Sequence, residues 1–257
     1  MKYLKLSRED KTAVISICHA PANALCQDLI KELSGLLDEI EKDGEIRTVI
    51  IHGEGRFFSA GADIKEFVNL TDKDESRRLA ENGQKVFEKI EKFPKPVIAA
   101  IHGAALGGGL ELAMACHLRL VADNAKLGLP ELQLGLIPGF AGTQRLPRYV
   151  GVAKAAEMIL TGEPISGAEA VKWGLANRVC PEEELLSEAK QLAEKIAKKS
   201  PVSVRAVMEL LNSGKTEDFY AAVRKEAELF AEVFSSADAK EGISAFLQKR
   251  EPEFVGR

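Results

Sequence analysis

Ile50-Ile51-His52-Gly53, followed by a loop ending Ser59-Ala60-Gly61-Ala62-Asp63, returns fifty residues on as Ala100-Ile101-His102-Gly103 followed by Ala104-Ala105-Leu106-Gly107-Gly108-Gly109. Each copy is an apolar run suited to a buried strand, then Ile-His-Gly, then a loop of very small residues, then a helical stretch. Two copies are too few for a long repeat array, but they fit stacked β-β-α turns. Upstream, residues 2–6 and 13–18 flank the polar turn Arg8-Glu9-Asp10-Lys11 and predict a hairpin. Leu29, Leu33, Leu36, Leu37 and Ile40 lie at helical spacing, and residues 74–93 predict a second helix. Short strands are expected at 48–51, 96–101, 118–122 and 126–129. Strand–helix alternation implies an α/β fold with parallel strands and crossover helices.

The composition changes near residue 180. Of 21 glycines, 18 precede it, and only Gly214, Gly242 and Gly256 follow. Residues 182–199, 201–211, 219–233 and 237–249 carry apolar residues at helical spacing. We therefore expect a core spanning 1–180 and a helical region spanning 181–257. The 257-residue length suits one domain with such an appendage.

Charge and cysteine use exclude several classes. The net charge of −4 argues against a nucleic acid or an anionic membrane as the main partner. No apolar run approaches the ~20 residues of a membrane span. The N-terminus reads as a strand rather than a secretion signal, so a cytoplasmic location is expected. Cys18, Cys26, Cys116 and Cys180 form no C-x-x-C pair and are expected as reduced, mostly buried thiols. His19, His52, His102 and His117 are scattered, so no metal site is expected.

The two small-residue loops bring backbone N–H groups close to any ligand, and at a helix start those groups are unsatisfied. Two loops could thus aim two donors at one oxyanion; alternatively, the glycines only let strand and helix pack. Other glycine readings fail. Gly109 is followed by Leu110-Glu111 rather than Lys-Ser/Thr, and Gly53-Glu54-Gly55 runs into Arg56-Phe57-Phe58. Phe57 stands where a nucleophile elbow around Ser59 needs glycine, which leaves an exposed Ser59 nucleophile as a minor alternative. Among 39 acidic residues, Glu111 and Glu131 alone sit in apolar flanks. Burial there would disfavour ionisation and tune a carboxyl for acid–base work. The competing readings are a helix-dipole charge for Glu111 and a salt bridge from Glu131 to Arg145 or Arg148.

In combination these segments are far more specific. F-x-S-A-G-A-D-I-K (57–65), H-G-x-x-x-G-G-G-x-E-L (102–112), L-P-E-x-x-L-G-x-I-P-G (129–139) and G-T-Q-R-L (142–146) resemble the enoyl-CoA hydratase/isomerase (crotonase) family. The resemblance extends over essentially the whole chain, to Phe254-x-Gly256-Arg257. It implies a crotonase-like α/β spiral of β-β-α turns and a helical C-terminal region that forms trimers, or hexamers from two trimers. It implies acyl-CoA thioesters as ligands, with no further cofactor and no metal. The amides of Ala62 and Gly108 match the thioester-oxygen donors. Ala22, Ala24, Ala60, Ala62, Asp63, Ile64, Lys65 and Gly108 match the CoA-contacting backbone, and Lys249 or Arg250 would reach a neighbouring subunit's CoA phosphates. Phe67, Val68, Leu70 and Phe140 are candidates for the acyl end.

Hydratases of the family carry two glutamates, at positions matching Glu111 and Glu131, whereas the Δ3-Δ2 isomerases rely on the second. Both are present here, which implies reversible hydration of trans-2-enoyl-CoA, as in fatty-acid β-oxidation. The alternatives are a Δ3-Δ2 isomerase or another family reaction on a CoA enolate, and a non-catalytic acyl-CoA-binding protein. Three departures stand out: His117 where many members have Asp, Ala141 for a common Gly, and a short segment from Pro21 to Leu25. We expect Glu111 and Glu131 to face one another across a bound water in an apolar pocket, and the apolar faces carrying Phe219, Phe230, Val233 and Phe246 to be covered by other subunits.

Overall fold

The computed structural model describes residues 1–68 and 72–257. β1 (Leu4–Glu9) and β2 (Thr12–Ile17) form the expected antiparallel hairpin. After α1 (Gln27–Lys42), β3 (Thr48–Gly53) pairs parallel to β2. Leu29, Leu33, Leu37 and Ile40 form the buried face of α1, as their spacing predicts. α2 (Lys73–Glu91) leads to β4 (Val97–Ile101), which is buried throughout and parallel to β3. β5 (Ala104–Leu106) and α3 (Gly108–Ala115) follow at once. β6 (Leu118–Ala122) joins β4, and β7 (Lys126–Gly128) joins β5, each in parallel. Then come α4 (Gly142–Val150), α5 (Val152–Thr161), β8 (Ile165–Ser166), α6 (Gly167–Lys172) and β9 (Arg178–Cys180).

The strands make a six-stranded sheet in the order β1-β2-β3-β4-β6-β9 and a three-stranded sheet in the order β5-β7-β8. A Ser59–Ala105 bridge extends the small sheet to the first small-residue loop. The chain thus climbs as large-sheet strand, small-sheet strand, then helix. The two Ile-His-Gly copies are not side by side, because Ile51 lies opposite Ala99 and His52 opposite Ala100. The second copy is two positions further along its strand, which brings its glycine loop beyond the first.

Beyond residue 180, α7 (Leu185–Ala197) packs on β2, β3, β4 and β6 through Leu185, Ala189 and Ala193. α8 (Pro201–Ser213), α9 (Phe219–Ser235) and α10 (Ala237–Gln248) differ. α9 contains no buried residue, and Phe219, Phe230, Phe234 and Phe246 are 71%, 68%, 59% and 81% exposed. All four cysteines are free; Cys26 and Cys116 are buried, whereas Cys18 and Cys180 are half-buried. Among the described residues, no helix is long and apolar enough to cross a membrane.

Candidate active site

Two glycines set the backbone at one end of the site. Gly61 has φ 119° and Gly107 has φ 50°, conformations that a Cβ strongly disfavours. Each precedes one predicted donor. Gly108 is the first residue of α3, so its N–H has no intrahelical acceptor. The Ala62 N–H meets no backbone acceptor among the described residues. The two donors are neighbours: a methyl built on Gly108 would lie 3.3 Å from the Ala62 nitrogen.

The first loop is tied down by a residue that the motif reading missed. Asn23 is 2% exposed, and its Nδ2 donates to the carbonyls of Glu54 (2.9 Å) and Phe57 (2.7 Å). Ser59 is fully buried, and its Oγ donates to the Asn23 carbonyl at 2.8 Å. Ser59 is therefore a loop tie, not an exposed nucleophile. Further bonds join the 22–25 segment to the loop: Ala60 N–H to Ala22 O (2.9 Å), Leu25 N–H to Gly61 O (2.8 Å) and Asp63 N–H to Leu25 O (3.1 Å).

A cavity of about 510 Å³ opens beside these amides. Ala60, Ala62, Ile64 and Gly108 line it, as do Phe67 and Phe140. Ala22, Ala24, Asp63 and Lys65 do not reach its wall; Asp63 instead accepts from the Lys65 N–H in a short turn. Val68 is 77% exposed and outside the lining, and Leu70 lies outside the described residues. Both Glu111 and Glu131 line this cavity.

Glu111 belongs to α3, every residue of which is buried. Its Oε1 accepts from the N–H groups of Phe140 (2.8 Å) and Gly142 (2.7 Å). Both amides reach one oxygen because Ala141 between them is in the left-handed region, at φ 71°. Alternating backbone of this kind forms an anion-holding nest. It also explains why glycine is common there and what the Ala141 departure costs: strain of ~1–2 kcal/mol. Burial raises the Glu111 carboxyl to about 7, and nearby Glu131 adds to the rise. The two amides and Arg145 act against it.

Glu131 opens a short turn, Glu131–Leu134. The flanking leucines predict burial, yet Leu134, Leu136 and Ile137 are 58%, 44% and 74% exposed, and Glu131 itself is half-buried. They line the cavity mouth instead of the core. The Glu131 Oε2 is buried without a hydrogen-bond partner among the described residues, and burial raises this carboxyl as well. The suggested salt bridge to Arg145 does not form, because Arg145 is bound to Glu91. In this site a carboxyl oxygen with no partner among the described residues, a second buried carboxyl and the amides of Ala62 and Gly108 share one cavity. Such a set can hold a water, move protons and stabilise an oxyanion.

The other candidates lie elsewhere. Arg250 makes a two-pronged pair with Glu241 (2.6 and 2.9 Å), so it is engaged within its own chain, and Lys249 ends α10. His117 accepts from the Val97 N–H at Nδ1 (2.9 Å), which leaves Nε2 to donate to the Glu91 carbonyl (3.2 Å). Burial lowers its pKa to about 4, so it is a neutral strut between β4 and the end of α2. Sequence spacing gave no sign of the Glu91–Arg145 pair, whose members are 54 residues apart.

Known proteins resemble the chain over nearly its full length. The family model for enoyl-CoA hydratase/isomerase matches residues 8–257. A probable enoyl-CoA hydratase of Bacillus subtilis is 58% identical over 100% of both chains. A short-chain-enoyl-CoA hydratase of Clostridium acetobutylicum is 43% identical, over 96% of this chain and 95% of the other. Among solved structures, an enoyl-CoA hydratase from Bacillus anthracis superposes with a TM-score of 0.95 at 38% identity, covering 99% of this chain and 100% of the other.

Proposed function

The chain belongs to the enoyl-CoA hydratase/isomerase family, and from that premise we propose that it hydrates trans-2-enoyl-CoA thioesters reversibly to 3-hydroxyacyl-CoA. The observation that carries this reading is the meeting of Glu111 and Glu131, both with raised pKa, on one cavity beside two free amides. An acyl-CoA carrier needs no such pair of carboxyls, since burying them is costly.

In this reading the thioester oxygen sits between the N–H groups of Ala62 and Gly108. The two carboxyl groups hold a water against Cβ. One carboxylate takes a proton as the C–O bond forms at Cβ, and electron density moves through Cα to the thioester oxygen. The enolate-like charge meets the two amides. A protonated carboxyl then delivers a proton to Cα, so that one water has been added. The Glu111 carboxyl, raised to about 7, supports this division, because such a group can hold or release a proton near neutral pH.

The reading includes a homo-oligomer, a trimer or two stacked trimers. Its support is the run of exposed phenylalanines on α9 and α10, which far exceeds isolated surface apolar residues. Four unpaired cysteines fit a reducing compartment such as the cytoplasm.

Purified protein with crotonyl-CoA tests the reaction. Loss of the conjugated-thioester absorbance, with 3-hydroxybutyryl-CoA as product, is expected. A 3-enoyl-CoA converted to the conjugated isomer without net hydration would indicate the isomerase instead. Tight binding of crotonyl-CoA with no turnover would overturn both.

A further inference from the structure

The turn that grips Glu111 is itself gripped, and from outside the cavity. Three residues of α2 on one face, Gln84, Phe87 and Glu91, are spaced three and four apart. Gln84 Nε2 donates to the Gly139 carbonyl at 2.9 Å. The Phe87 ring packs edge-on against Phe140, with centroids 5.3 Å apart. Gly83 beside them leaves room for the Phe140 ring, which a methyl there would meet at 2.3 Å. Glu91 Oε2 accepts from Arg145 Nε (3.1 Å) and Nη2 (2.9 Å). The remaining Arg145 nitrogen, Nη1, donates to the Phe140 carbonyl at 2.6 Å, and the Arg145 backbone N–H donates to Ala141 O at 2.9 Å. So one arginine holds the carbonyls of two successive residues whose flanking amides hold Glu111.

The pair is built as a fixed unit. Arg145 is 6% exposed. Burial pushes Glu91 up, but Arg145 and Lys215 (3.2 Å from Oε1) outweigh this and hold it below the ordinary carboxylate value. His117 fixes the Glu91 backbone from the other side. Neither Glu91 nor Arg145 lines the cavity, so neither meets a substrate there.

We propose that Arg145, clamped by Glu91, is a positioning residue: it fixes the Phe140–Gly142 turn and thereby sets the orientation and ionisation of Glu111 for the reaction. This rests on the hydratase reading of Glu111. A packing-only role for the pair predicts lost stability with normal turnover per folded molecule. A positioning role predicts a defect confined to the chemical step, because a displacement near 1 Å can cost ~10²-fold in rate.

The pH dependence has a definite sign. The charged groups acting on Glu111 are Glu131, from the turn at 131–134, and Arg145, from α4. The Arg145 charge and the two amides favour the ionised carboxylate. Loosening the turn weakens both, so the Glu111 midpoint must rise.

Arg145→Lys keeps a cation but cannot span Glu91 and Phe140 O together. We expect its kcat with crotonyl-CoA to fall about 10- to 10²-fold with KM nearly unchanged, and the limb of kcat/KM near pH 7 to move to higher pH. A folded Arg145→Lys protein with normal kcat and an unmoved limb overturns the proposal. Should that variant not fold, the double variant Glu91→Gln/Arg145→Met leaves no lone buried charge and is read the same way. Glu111→Gln, assayed alongside, separates the two levels. If it is inactive while the Arg145 variant is normal, only the positioning role falls; if it turns over normally, the hydratase reading falls and takes this proposal with it.

Discussion

The two walls that carry the carboxyls are built in opposite ways. On one side α3 is buried along its whole length, and Glu111 is held by two amides from a strained turn. Carbonyls near the C-terminal end of α3 are held as well, Ala113 O by Arg119 Nη1 (3.3 Å) and Met114 O by Tyr149 Oη (3.0 Å). On the other side, residues 131–137 expose Leu134, Leu136 and Ile137, and one Glu131 oxygen has no partner among the described residues. One wall is completed by the chain; the other presents apolar side chains and a free acceptor to whatever enters. The same contrast separates the core from α9, which has no buried residue.

Substitutions can test how far the fixed wall differs from the receptive one. Apart from turnover in the carboxyl variants, the largest effect is expected at the amides. Ala62→Pro deletes one donor, and loss of such a donor typically lowers turnover ~10²–10³-fold. Circular dichroism and light scattering would show whether fold and assembly survive. A variant that passes both and hydrates crotonyl-CoA normally removes the oxyanion role.

Next is the stability cost of burying Glu111. Its folded pKa of about 7 exceeds the unfolded value of 4.5. Below 4.5 the carboxyl is protonated in both states and costs nothing. As pH rises from 4.5 to 7 the unfolded chain ionises first, so stability falls, by about 3 kcal/mol for a shift of this size. Glu111→Gln should therefore unfold at higher urea than the parent at pH 8, with the gap closing by pH 4. Glu131→Gln, on the half-buried wall, should gain less. Equal gains would erase the distinction between the walls.

The smallest effect is expected at Ala141. Glycine relieves the left-handed strain but adds unfolded-state freedom, so Ala141→Gly should stabilise by about 1 kcal/mol or less. A loss of stability, measured by urea unfolding, would mean that the alanine methyl contributes packing that offsets its strain.

These contrasts also mark where sequence reading stops. β3 and β4 were legible because of the apolar runs at 49–51 and 97–101, and α1 because its leucines keep helical spacing. Glu111 was legible because its apolar neighbours leave it nowhere to go but inward. Residues 165–172 were not resolved into elements, since β8 has two residues and α6 six, too short for any period to register. Glu131 is only half-buried despite its apolar flanks, because an apolar cavity mouth and a core have the same composition. Asn23 and the Glu91–Arg145 pair depend on contacts across 31 to 54 residues, which no local pattern encodes.

The central claim is that Glu111 and Glu131 act together on one water. Hydration of crotonyl-CoA by Glu111→Gln and by Glu131→Gln, each verified as folded and at the parental oligomeric state, addresses it most directly. Each variant is expected to lose roughly 10²–10⁴ in turnover, the usual scale for acid–base catalysis. Parental turnover in either one would contradict the two-carboxyl mechanism.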